Sequence, residues 1–241
     1  MEVSAPLLNT LKKLQNLPSL KQFALGGGTN LALRFKHRIS IDIDLFCTEI
    51  IGRKGFENIE KELKEFFGKS VLAFTYPCNE NDQFIFARCL ILSEGETIKI
   101  ELLQNFKLLY PIEFINGTRM CSLQDIGIFK LISLANRSAN KDVYDLDFIT
   151  DEIPLIELYK SLIKKQEKYN AESDKNIFDL DNTNPNIKPE LLLSFDIAST
   201  ENLSRPSHSD DRIVVLEGNK NWLSARTSWK TKVRDLIQVV K

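Results

Sequence analysis

Residues 26–49 read GGGTNLALRFKHRISIDIDLFCTE. Three glycines open onto a segment with apolar residues at Leu31, Ala32, Leu33 and Phe35, which predicts a short helix beginning at Thr29. A basic turn containing His37 and Arg38 follows. Ile41, Ile43 and Leu45 then alternate with Asp42 and Asp44. That is the period of a strand, so both carboxylates leave one face while the apolar side chains leave the other.

Two hard oxygen ligands on one rigid strand suit Mg²⁺ (or Mn²⁺) held beside substrate phosphates. A third acid supports a second metal or acts on an attacking hydroxyl. Glu101 is the candidate, in a strand pattern where Ile98, Ile100 and Leu102 face the other way. Asp-x-Asp also occurs at Asp145/Asp147 and Asp179/Asp181, in a predicted helix and a predicted loop. With about 3.6 residues per helical turn, side chains two apart diverge by roughly 200°, so the helical pair does not converge. The alternative for Asp42 and Asp44 is a solvated strand face.

Gly27 and Gly28 let a backbone approach a phosphate closely, and a helix N-terminus presents N–H groups to it. Thr29 is placed to cap the helix or to bond a phosphate oxygen. A plain turn is the alternative. The run matches neither G-x-x-x-x-G-K-[ST] nor G-x-G-x-x-G, so a P-loop and a dinucleotide fingerprint are both excluded.

Outward from this stretch, apolar periodicity predicts helices over 5–16 and 56–67, the second with Ile59, Leu63, Phe66 and Phe67 inward. Strands are predicted over 23–25, 71–76, 84–92 and 97–103. From Ser122 the pattern changes to helices over 123–136, 141–149 and from Pro154 to about residue 169. Residues 170–219 are polar and interrupted by Asn-Pro, Lys-Pro and Arg-Pro, with a short strand predicted over 212–217. A last helix over 222–240 carries Trp229, Val233, Leu236 and Ile237 as its apolar stripe. The fold class is α/β (α+β), a mixed sheet in 1–120 followed by a mainly helical part in 121–241.

The chain has 241 residues, of which 43% are hydrophobic, enough for a sizeable core. Lys+Arg is 32 against Asp+Glu 33, so bulk charge gives no general affinity for nucleic acid. No apolar run approaches the roughly 20 residues that span a bilayer, and the first residues lack a secretory pattern. Cys47, Cys78, Cys89 and Cys121 form no C-x-x-C pair and read as buried free thiols of a cytoplasmic protein. His37 is expected to be exposed; with only His208 besides it, a His-based zinc site or a His-dependent nucleophile is not suggested.

GGGTNLALRFKHRISIDIDLF resembles the opening motif of the nucleotidyltransferase toxins of bacterial abortive-infection systems, the AbiEii/AbiGii-like family of the polymerase-beta-like superfamily. The superfamily pattern is Gly-Gly/Ser, then Asp-x-Asp, then a third acid on a later strand. It carries over Gly27, Gly28, Thr29, Asp42 and Asp44. Glu101, in IKIELL, falls at the third acid, where aspartate is commoner. A later Lys, Arg and Lys-Asp…Asp resemble Lys130, Arg137, Lys141, Asp142 and Asp145. The likeness covers about residues 20–150 and fades after 170.

The resemblance implies a nucleotidyltransferase domain in 1–120 and a helical domain in 121–241 that completes the nucleotide cleft. Asp42, Asp44 and Glu101 would hold the metal. Lys130 and Arg137 share a helix face and would grip the triphosphate, with Lys141, Asp142 and Asp145 beside them; a solvated helix pair is the bland alternative. The expected reaction moves an NMP from an NTP to an acceptor, tRNA or another RNA, as the toxin of a toxin–antitoxin or antiviral defence pair. An antitoxin from a neighbouring gene is the expected partner. The runner-up functions are an aminoglycoside-type nucleotidyltransferase and a non-catalytic NTP-binding or interaction module. Lys160, Lys164, Lys165 and Lys168, and Arg226, Lys230, Lys232 and Arg234 near Trp222, are candidate RNA contacts or merely solvated helix faces.

Overall fold

The alternation around Asp42 forms strand β2 (Asp42–Phe46), in which Ile43 and Leu45 are fully buried. The computed structural model describes residues 1–78, 81–181, 183–196 and 211–240. The Arg-Pro break at 205–206 and His208 lie outside the described residues. β2 pairs in parallel with β5 (Glu96–Leu103) and antiparallel with the two-residue β1 (Ala24–Leu25). With β3 (Val71–Cys78), β4 (Phe86–Ser93), β6 (Glu113–Ile115) and β7 (Thr118–Met120), the described strands form one mixed sheet of order β3-β4-β5-β2-β1-β7-β6.

One face of this sheet is apolar. Leu7, Leu11 and Leu14 of α1 (Ala5–Asn16) and Phe56, Ile59 and Leu63 of α3 (Gly52–Phe67) join Ile43, Leu45, Ile98 and Ile100 in a single buried cluster. Each such side chain contributes about 1.5–3 kcal/mol relative to exposure. Ser4 starts α1 by accepting the Leu7 N–H at 3.2 Å.

Several elements differ from the sequence expectation for identifiable reasons. α2 (Gly27–Phe35) begins two residues before Thr29, with an extended Gly26 as its cap. α3 begins at Gly52, well ahead of residue 56. The Ile51 and Gly52 N–H groups donate to Gln104 Oε1 at 2.8 and 3.0 Å, and the Arg53 N–H donates to Asp82 Oδ1 at 3.1 Å. These caps come from distant residues, so no local signal announces them. Phe66, expected inward, is 54% exposed. The β6–β7 hairpin has no counterpart in the expectation, although Asn116 and Gly117 (φ 50 and 76°) make the two-residue turn that Asn-Gly favours. His37 is buried against Phe35, edge to face at 5.8 Å, rather than exposed. Cys47, Cys89 and Cys121 are buried, whereas Cys78, expected with them, is half-buried at the end of β3; burial pushes Cys47 up to about 11 and Cys89 up to about 12.

The first compact unit comprises residues 1–122 and takes back residues 169–177. The returning segment is tied by Asn105 Nδ2, which donates to the Ser173 and Lys175 carbonyls at 2.9 and 2.7 Å.

The second unit comprises residues 123–168 and 178–241. It contains α4 (Leu123–Arg137), α5 (Asn140–Glu152), α6 (Leu155–Lys168) and α7 (Trp222–Val240). Trp229 is fully buried and its indole N–H donates to the Leu192 carbonyl at 3.0 Å. The strand expected over 212–217 reduces to an isolated bridge at Val215, and Asp179 lies in a 3₁₀ turn (Ile177–Asp181). Lys165, grouped with the surface lysines of α6, is buried with its amine 3.6 Å over the Phe129 ring.

Candidate active site

The sheet face opposite the apolar cluster carries the carboxylates. In the parallel β2–β5 ladder Asp44 lies directly across from Glu101, and Asp42 across from Lys99. Side chains so paired share a face, and neighbouring strands are about 4.8 Å apart. The isoleucines between them are fully buried on the far side.

The glycine run is packed against this face. Gly26 donates its N–H to the Asp44 carbonyl at 2.8 Å. Gly27 adopts φ +58°, and a Cβ built on it would overlap Asp44 Oδ2. On Gly28 a Cβ would overlap Arg38 Nη2. The glycines therefore let the start of α2 lie directly on Asp44. Thr29 is buried, and its hydroxyl bonds Ser40 Oγ at 2.9 Å and the Asp42 carbonyl. It clasps α2 to β2 instead of capping the helix. Asn30, also buried, donates to the Leu25 and Cys121 carbonyls at 2.8 and 3.0 Å and fixes α2 over β1 and β7.

Two cations stand among the acids. Arg88 donates to Glu101 Oε1 through Nε at 2.9 Å and Nη2 at 2.6 Å. Lys99 Nζ lies 3.0 Å from Asp42 Oδ2 and 3.9 Å from Glu101 Oε1. Burial pulls the Lys99 amine down, but the charges of Glu101, Asp42 and Asp44 outweigh it and its pKa is raised. Lys99 shares the two-residue alternation of β5 with Glu101, and Arg88 lies across from Glu101 on β4; the side chains they pair with are set by strand register rather than by spacing.

Among the described residues no three His, Cys, Asp or Glu side chains gather into a metal-holding cluster. The same-face pair Asp42 and Asp44 fits a hard divalent ion that completes its shell with substrate oxygens and water, the usual arrangement for Mg²⁺. Glu101 is brought beside the pair but is held by Arg88.

In the helical unit Lys130, Asp142 and Asp145 meet. Lys130 Nζ is 2.7 Å from Asp142 Oδ1 and 2.7 Å from Asp145 Oδ2, and both aspartates are fully buried. Arg137 donates to Asp142 through Nε at 2.7 Å and Nη2 at 2.9 Å. Burial alone would raise the Asp142 pKa; Arg137 and Lys130 overcome it and hold the carboxyl well below the usual range. The backbone N–H groups of Asn140 and Lys141 donate to Asp211 at 2.7 and 3.1 Å. Asp147 diverges from Asp145, as helical geometry requires, and binds Lys220, Lys232 and Ser228.

The glycine turn lies on the Asp-x-Asp strand, which is parallel and in register with the strand bearing the third acid, the arrangement that the resemblance to nucleotidyltransferases implies. The family model described as nucleotidyl transferase AbiEii toxin, type IV toxin–antitoxin system, matches residues 10–213, and the chain belongs to that family. No curated protein matches the sequence. The fold is similar to that of MenT4, a nucleotidyltransferase toxin from Mycobacterium tuberculosis, with TM-score 0.51 and 15% identity over 95% of this chain and 79% of that one. By its family the protein is a nucleotidyltransferase toxin of a type IV toxin–antitoxin system, and the family implies an NTP substrate and an antitoxin partner. Among the described residues no helix is long and apolar enough to cross a membrane.

Proposed function

We propose that the protein transfers a nucleoside monophosphate from an NTP to an RNA hydroxyl, with tRNA the first acceptor to test. The acceptor oxygen bonds the α-phosphorus, the bond to the β-phosphate oxygen breaks, pyrophosphate leaves, and the hydroxyl proton passes to a base. Asp42 and Asp44 would hold Mg²⁺ or Mn²⁺, which when bound neutralises phosphate charge and orients the phosphate oxygens. Glu101, across from Asp44, is the carboxylate assigned to the acceptor proton, with Arg88 fixing it on the sheet face. The amides at Gly27, Gly28 and Thr29 are assigned to phosphate oxygens. In the helical unit Lys130 and Arg137, set by Asp142 and Asp145, are assigned to the triphosphate, where cations stabilise the charge of the transition state. Lys141 is assigned to the nucleotide.

The observation that carries this reading is the in-register pairing of Asp44 with Glu101 beside a glycine that abuts the Asp44 carboxylate. The test is incubation of the protein with each labelled NTP, Mg²⁺ and total RNA or total protein. Label is expected in RNA, and Asp44→Asn is expected to abolish it. Label confined to protein would reject the RNA acceptor, and equal labelling by Asp44→Asn would reject the site.

A further inference from the structure

Lys99 occupies the centre of the carboxylate face, although no part of the reaction described above uses it. It is directly across the ladder from Asp42, its amine lies within ion-pair distance of Asp42 and Glu101, and its side chain is only 24% exposed. Like charges on adjacent strands destabilise a sheet, and Asp44 faces Glu101 directly across this one. An ammonium on a flexible four-carbon stem relieves that repulsion and is also able to withdraw. A divalent ion held by Asp42 would compete with Lys99 for that carboxylate. Arg88 pairs with Glu101.

We propose that Lys99 is a resident counter-cation of the site. It holds the carboxylate face together before an ion arrives and is displaced from Asp42 when the ion binds, so it sets ion affinity as a positioning residue. This inference rests on the reading of Asp42 and Asp44 as ion-holding residues.

The test uses the full chain freed of metal and titrated with Mn²⁺, with free Mn²⁺ read from its electron paramagnetic resonance signal. K99M removes the competing charge and is expected to bind Mn²⁺ roughly tenfold more tightly, while K99R, which keeps it, stays near wild type. In chelator K99M is expected to melt below wild type, and saturating Mn²⁺ is expected to recover the difference. Should K99M fail to fold, K99Q carries the same expectations. Unchanged or weaker binding in the uncharged variant, or equal tightening in K99R, would overturn the role of Lys99. If Asp44→Asn still abolishes binding in that case, the ion site itself stands. Absent binding in wild type, or undiminished binding in Asp44→Asn, would overturn both.

Discussion

Gly27 is the residue on which the site is most finely balanced. Its backbone has φ +58° and the space of its missing side chain is filled by the Asp44 carboxylate. Gly27→Ala therefore meets both a backbone penalty, about 1–2 kcal/mol, and a collision that moves the carboxylate. A displacement of about 1 Å at a reacting group costs roughly 100-fold in rate. The expected result is a loss of nucleotidyl transfer of about that size, with a melting temperature reduced by only a few degrees. Full activity in this variant would show that Asp44 does not need its observed position. Arg88→Met is expected to lower transfer while leaving Mn²⁺ affinity close to wild type, because Arg88 grips Glu101, the carboxylate assigned to the acceptor proton; calorimetric titration beside the transfer assay separates the two effects.

At the scale of elements, α7 is fastened to α5 by charge as well as by its apolar stripe. Asp147 is fully buried and binds Lys220, Lys232 and Ser228, while Asp151 receives the same two lysines. Removing Asp147 leaves the partly exposed Lys220 and Lys232 with Asp151 alone, a loss of about 1–3 kcal/mol. Asp147→Ala is expected to destabilise the protein by that order and to raise amide exchange in α7 above that in β2 and β5; uniform exchange would deny a local clamp. Periodicity made most elements legible. Helices α1 and α7 and strand β5 lie close to where the apolar spacing puts them, because each buries a regular face. What escaped was decided by distant residues. Gln104 and Asp82 start α3 early, and a three-residue strand on each side of Asn116-Gly117 is too short for alternation to register. The acids of the site were readable because alternation fixes their face. The pairing of the cations among them was not, since an ion pair across two strands leaves no mark on sequence spacing.

At the scale of the whole molecule, a near-neutral chain gathers opposed charges into networks, around Glu101 and Asp42 in the first unit and around Asp142 and Asp147 in the second. Folding holds Asp142 below its unfolded value, near 3.9. For a depressed carboxyl the stabilisation is complete above the unfolded pKa and is lost as pH falls below it toward the folded one. Unfolding free energy is therefore expected to fall by about 2 kcal/mol more in wild type than in Asp142→Asn between pH 5 and pH 2, measured by denaturant titration. Parallel pH profiles would place the linkage elsewhere. The central claim concerns which phosphorus is attacked, and it is tested by giving the protein an NTP labelled at either the α- or the γ-phosphorus together with RNA. The expected result is label in the RNA from the α-position alone, with pyrophosphate released and all transfer lost in Asp42→Asn. Label arriving from the γ-position, or α-label transferred undiminished by Asp42→Asn, would contradict the account.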